Sequence, residues 1–142
     1  MKVAIVVASN GLIAKELLQV AYYTVGSIRN VSSISFFEGD SVEVLLERYK
    51  KTLGNLDVQH GILFLIESKS SAHEYAASYF SLQYPTSRIV TGINLPMLVS
   101  LFISENNETS PFILATRAQE YGKQAVCILP DAGESLSISH LI

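Results

Sequence analysis

The chain has 142 residues, 49% of them hydrophobic and 16% charged, with a formal net charge of −3. That composition suits one globular domain with a proper core, and it excludes a disordered chain and a general nucleic-acid binder. A single cysteine excludes an intrachain disulfide framework, and no apolar run approaches the roughly 20 residues of a membrane helix.

Val3 to Ala8 is a continuous apolar run rich in β-branched residues, the pattern of a strand buried on both faces. It passes straight into a helical pattern, so "MKVAIVVAS" reads as a first strand rather than a signal peptide. The helix places Ile13, Leu17, Ala21 and Val25 on one face, with Gly26 to close it. Ser33 to Phe37 alternates and predicts a strand nearer an edge. In "GDSVEVLLERYKKTLG" the stripe is Val42, Leu45, Leu46, Tyr49 and Leu53, and Glu47 stands four residues before Lys51. Arg48, Lys50 and Lys51 are the only clustered cations, at the end of that helix where the dipole favours them.

Gly61 to Ile66, "GILFLI", predicts the third strand. Ser71 and Glu74 stand at capping-box spacing, which starts a helix at about Ala72. Arg88 to Thr91 predicts a fourth strand, and Asn94-Leu95-Pro96 opens another helix. Ser110-Pro111 begins a helix running to Tyr121 and closed by Gly122. Ala125 to Leu129 reads as a last short strand, within which Cys127 is a buried, inert thiol. The tail from Pro130 is polar.

Strand and helix alternate, so the expected fold is α/β: a three-layer sandwich with a mostly parallel sheet and helices on both faces. The chain forms one domain over residues 1–142, with 130–142 as its tail. In such a sheet chemistry sits beyond the carboxyl ends of the strands. That singles out two loops, Ser9-Asn10-Gly11 and Glu67-Ser68-Lys69-Ser70-Ser71. No GxGxxG, GxxxxGK[ST] or GxSxG occurs, and the three histidines do not fall at zinc-ligand spacing. No cofactor and no metal site are expected.

The segments "AIVVASNGLIAKELL", "FFEGDSVEVLLERY", "GILFLIES" and "GINLPML", in that order, resemble the IIA component of the mannose family of the bacterial phosphoenolpyruvate-dependent sugar phosphotransferase system. The resemblance covers Met1 to about Leu129. It implies a cytoplasmic homodimer in which the C-terminal edge strand crosses to the partner's sheet. It also implies a subunit that takes a phosphoryl group from the phosphocarrier HPr and passes it to a IIB domain. The acceptor would be a histidine after the first strand, with a carboxylate after the third strand holding its other ring nitrogen. Nucleic acid and membrane insertion are not implied.

The sequence departs from that pattern at the centre. Asn10 stands at the acceptor position and Glu67, one methylene longer than aspartate, at the carboxylate position. The family's glycine-glycine-serine-proline turn is Ser70-Ser71-Ala72-His73. An amide nitrogen is delocalised into its carbonyl and does not attack phosphorus as imidazole does. The expected function is a IIA-type subunit with a degenerate site, deficient in ordinary phosphohistidine transfer, so enzymatic activity is an open question. The alternative is a non-catalytic regulatory module that docks on a IIB-type partner or senses an anion. A third reading makes Glu67 the general base of an unrelated activity. The candidate crevice comprises Ser9, Asn10, Gly11, Glu67, Ser68, Ser70, Ser71, Ala72 and His73. Beside these roles stand plainer ones: Asn10 as N-cap of a helix from Gly11, the serines as turn and cap residues, and His73 pointing outward from a first helical turn.

Overall fold

A computed structural model describes residues 1–69 and 71–130. The elements run β1 (Ala4–Asn10), α1 (Ile13–Val25), β2 (Val31–Phe36), α2 (Val42–Gly54), β3 (Ile62–Ile66), α3 (Ala72–Gln83), β4 (Ser87–Thr91), α4 (Leu95–Ser104) and α5 (Pro111–Gln124). The four strands form one parallel sheet in the order β2-β1-β3-β4, with Ile5 opposite both Val31 and Leu63. The strand order reverses around β1, which brings the carboxyl ends of β1 and β3 together at the switch point.

Strand periodicity divides the core. Val3, Ile5, Val7, Leu63 and Leu65 face α1, α4 and α5, while Ala4, Val6, Ala8, Ile62, Phe64 and Ile66 face α2 and α3. Both faces of β1 and β3 are covered, so their apolar runs are continuous rather than alternating. Ser41, Ser71, Asn94 and Ser110 each cap the helix that follows, accepting the N–H of the residue three positions on.

Five expectations need correction. The buried stripe of α1 is Ala14, Leu18 and Ala21, with Leu17 and Val25 half-buried and Ile13 52% exposed. The helix starts at Ile13 rather than Gly11, and that sets its phase. On α2, Val42 lies at the exposed edge of its stripe, and Arg48 pairs with Asp40 while donating to the Ser35 carbonyl. This guanidinium covers part of the outer edge of β2, which pairs with no other strand among the described residues. Gly122 does not end α5, which continues to Gln124. The glycine is there for close packing: a Cβ would lie 2.7 Å from Met97 Cε, and its carbonyl accepts from Asn94 Nδ2 at 3.2 Å. No strand forms over 125–129, which pair with none of the described strands. Cys127 is accordingly exposed rather than buried, and Ile128 is wholly exposed. Residues 131–142, nearly all of the expected polar tail, lie outside the described residues.

Candidate functional site

Each residue of the site is placed by the end of a strand. Ser9 and Asn10 close β1, where Ser9 is buried and Asn10 exposed. The Ser9 hydroxyl turns back into the protein and accepts the Ala14 N–H at 2.7 Å, satisfying one of the free donors at the start of α1. Ser9 therefore does the capping expected of Asn10, and the formal N-cap position, Leu12, contributes no side-chain bond. Gly11 has φ +58° and donates to the Phe36 carbonyl at 2.9 Å. That left-handed backbone turn favours glycine.

Glu67 follows β3, and its own N–H continues the ladder to the Ala8 carbonyl at 3.1 Å. Its side chain folds over the end of β1, where Oε1 accepts the Asn10 main-chain N–H at 2.5 Å. The extra methylene carries the carboxylate to the backbone of residue 10 rather than to a side chain there. The Asn10 amide itself makes no hydrogen bond among the described residues. Ser71 caps α3 and donates to the Ser68 carbonyl at 3.2 Å. Ser68 is exposed, Ala72 is half-buried at the start of α3, and Ser70 lies outside the described residues.

His73 does not point outward. It is fully buried, with Nε2 2.8 Å from the Ser9 carbonyl and Nδ1 2.8 Å from the Tyr49 hydroxyl. A carbonyl oxygen only accepts, so Nε2 carries the proton. Burial lowers the imidazole pKa, only partly opposed by the Ser9 bond and the Glu67 charge. In the neutral ring Nδ1 then accepts from Tyr49, and no lone pair is left for an incoming phosphorus. The same ring packs edge-on to Phe36 and tilted against Tyr49.

The lowered pKa has a stability consequence. Between the folded-state pKa and about 6.5, the unfolded chain binds a proton at this histidine that the folded chain does not. Stability from this residue is complete above pH 6.5 and falls as the solution is acidified, by at most about 1.4 kcal/mol per pH unit. Urea unfolding at several pH values should show that slope in the wild type and lose it in His73→Gln; equal slopes would refute the assignment.

A cleft of 330 Å³ lies beside Asn10, bounded by Gly11, Phe36, Phe37, Glu38 and Gly39. It is lined by the ends of β1 and β2 and the loop after β2; Glu67, Ser68, Ser71, Ala72 and His73 do not line it. Asn10 and Glu67 are brought together, and no described serine hydroxyl bonds to Glu67. That geometry gives no support to a base-plus-nucleophile pair. A second cavity of 610 Å³ lies between β4 and α5, bounded in part by Arg88, Asn94, Phe112, Lys123 and Val126. Arg88 lies over the Phe112 ring there, 4.1 Å from its centroid. Among the described residues no cluster of three acidic, histidine or cysteine side chains is poised for a metal, and no helix is long and apolar enough to cross a membrane.

Comparison with known proteins places this architecture. A family profile described as PTS system fructose IIA component, EIIA-man, matches residues 4–116. The PTS system mannose-specific EIIAB component of Escherichia coli (strain K12) is 32% identical over 126 residues, which are 89% of this chain and 39% of that protein. The chain thus spans about two fifths of that relative's length. The PTS system fructose-specific EIIA component of Bacillus subtilis (strain 168) is 23% identical over 99 residues, 70% of this chain and 68% of that one. Among solved structures, the mannose/sorbose specific IIA subunit of the phosphotransferase system from Enterococcus faecalis superposes with a TM-score of 0.79 at 25% identity, covering 92% of this chain and 98% of its own.

Proposed function

The chain belongs to the mannose family of phosphotransferase-system IIA components, and on that premise we propose that it is a IIA-type subunit of a sugar-uptake system whose phosphoryl site has lost its acceptor. The observation that carries this reading is the pair at the switch point. Residue 10 is an asparagine, and Glu67, which would orient an acceptor ring, is instead bonded to main chain. Imidazole offers phosphorus a lone pair, and a hydrogen-bonded carboxylate fixes its tautomer and offsets the developing charge. An amide does neither.

What the scaffold retains is a surface for protein partners in the cytoplasm, HPr and a IIB-type domain. Leu12, Ile13 and Phe37 are each about half exposed around Asn10. Apolar side chains left in water around a polar centre suit a docking face better than a bare solvent surface. This favours the docking form of the regulatory alternative. The exposed apolar residues Val126, Ile128 and Leu129, together with the outer edge of β4, which pairs with no strand among the described residues, support a homodimer in which this segment completes a partner's sheet.

The test is direct. With phosphoenolpyruvate, enzyme I and HPr, mass spectrometry should find no added phosphate on the wild-type chain; a phosphohistidine on it would overturn the reading. Ile13→Asp and Phe37→Asp should leave thermal unfolding nearly unchanged while weakening capture of a IIB-type domain at least about tenfold. Undiminished capture would remove the docking face.

A further inference from the structure

The Ser9 carbonyl and the Asn10 N–H belong to one peptide group, and both ends of it are held. On one side the carbonyl accepts from His73 Nε2–H at 2.8 Å; on the other the N–H donates to Glu67 Oε1 at 2.5 Å. In a trans peptide those two groups point in opposite directions, so the two side chains grip the unit from both sides. Glu67 directly follows β3, and His73 stands in the first turn of α3. Behind His73 the grip is anchored by Tyr49 from α2, itself fully buried. One of the two bonds is charge-assisted and the other is buried, which makes both stronger than an ordinary exposed contact.

We propose that His73 and Glu67 clamp the Ser9–Asn10 peptide, fixing the centre of the site and withholding its main-chain N–H from anionic ligands. His73 is a positioning residue in this device, since it touches the site through the backbone alone. The clamp deepens the docking reading and rests on it for its partner class. With the Asn10 N–H already taken by a carboxylate, a small anion meets negative charge where it needs a donor. A protein surface reading side chains around Asn10 has no such conflict. The site is thereby specified for a protein partner rather than for a phosphate or another small anion.

Amide NMR and hydrogen exchange on the full chain test this. In the wild type the Asn10 amide proton should lie downfield and exchange slowly, and inorganic phosphate should leave it unmoved. Glu67→Gln should move that proton upfield. His73→Leu should speed its exchange about tenfold, the loss of one hydrogen bond, whereas His73→Gln, which keeps a donor, should restore most of the protection. An Asn10 amide unchanged in Glu67→Gln or in His73→Leu overturns the clamp, as does a phosphate-dependent shift in the wild type. If His73→Leu does not fold, Glu67→Gln and His73→Gln still decide, because the first must move the proton and the second must not. Capture of a IIB-type domain is scored separately: an intact clamp without capture sinks the docking reading and leaves the clamp standing.

Discussion

Asn10→His should take phosphate from HPr slowly, and adding Glu67→Asp should raise that rate by about 10–100-fold, the usual worth of a carboxylate that orients a histidine. On the proposed reading the wild type should show no transfer. Its three histidines are His60, His73 and His140. His73 has both ring nitrogens bonded and no access to solvent, and His60 precedes β3 at the opposite end of the sheet from the site. His140 lies outside the described residues. Space is not the obstacle to a new acceptor, since residue 10 is exposed and a 330 Å³ cleft adjoins it. The obstacle is the orienting carboxylate. As glutamate it reaches the main-chain N–H of residue 10; shortened by one methylene it falls back from that N–H and can meet a ring at position 10 instead. The same shortening frees the N–H to receive a phosphoryl oxygen, so both effects act in one direction. Quench-flow with labelled HPr phosphate measures the two rates. A double variant no faster than the single one would mean that the carboxylate is not what the site lacks, and that the Ser70-Ser71-Ala72-His73 turn limits transfer instead.

The sheet was legible because burial leaves a plain trace: β1 and β3, covered on both faces, are runs with almost no polar residue. The caps at Ser71, Asn94 and Ser110 were legible for a similar reason, since each satisfies donors within its own helix. The site was less so. Ser9-Asn10-Gly11 reads as a loop after a strand ending at Ala8, whereas the strand continues through Asn10, and the capping bond goes to Ser9, whose buried hydroxyl is set by tertiary packing. His73 was misread because its own helical turn was considered alone. The spacing His73, Ala76, Ala77, Phe80 is i, i+3, i+4, i+7, and all four are buried. That stripe was the available signal. For Ala125 to Leu129, local sequence carries β-propensity but no statement of which edge the strand would join.

Gly61→Ala should destabilise the chain by about 2–5 kcal/mol, and do so without touching the site. Gly61 lies at the opposite end of the sheet, where φ is +86° and the residue is buried between β3 and the approach to β4. Two costs add. A Cβ in the left-handed region costs about 1–2 kcal/mol wherever it occurs. Here it would also lie 2.2 Å from the Thr86 carbonyl oxygen and 2.9 Å from Pro111 Cγ. Neither neighbour yields easily. The Thr86 carbonyl accepts the Ile62 N–H at 3.1 Å, the Gly61 carbonyl accepts the Ala4 N–H at 3.1 Å, and Pro111 is buried at the start of α5. Moving any of them disturbs the entry to the two central strands, and overpacking of that kind costs about 1–3 kcal/mol. Gly26→Ala separates the two costs. Its backbone, at φ +84° and ψ 173°, also favours glycine, and nothing lies within 4 Å of an added Cβ, so it bears a backbone cost of about 1–3 kcal/mol and no contact cost. Urea unfolding should therefore rank wild type above Gly26→Ala above Gly61→Ala. Equal values for the two glycine variants would show that the contact with Thr86 relaxes freely. Folded Gly61→Ala protein, assayed well below its melting temperature, should capture a IIB-type domain as the wild type does, because the strand ends that present Asn10 lie across the whole length of the sheet from the lesion.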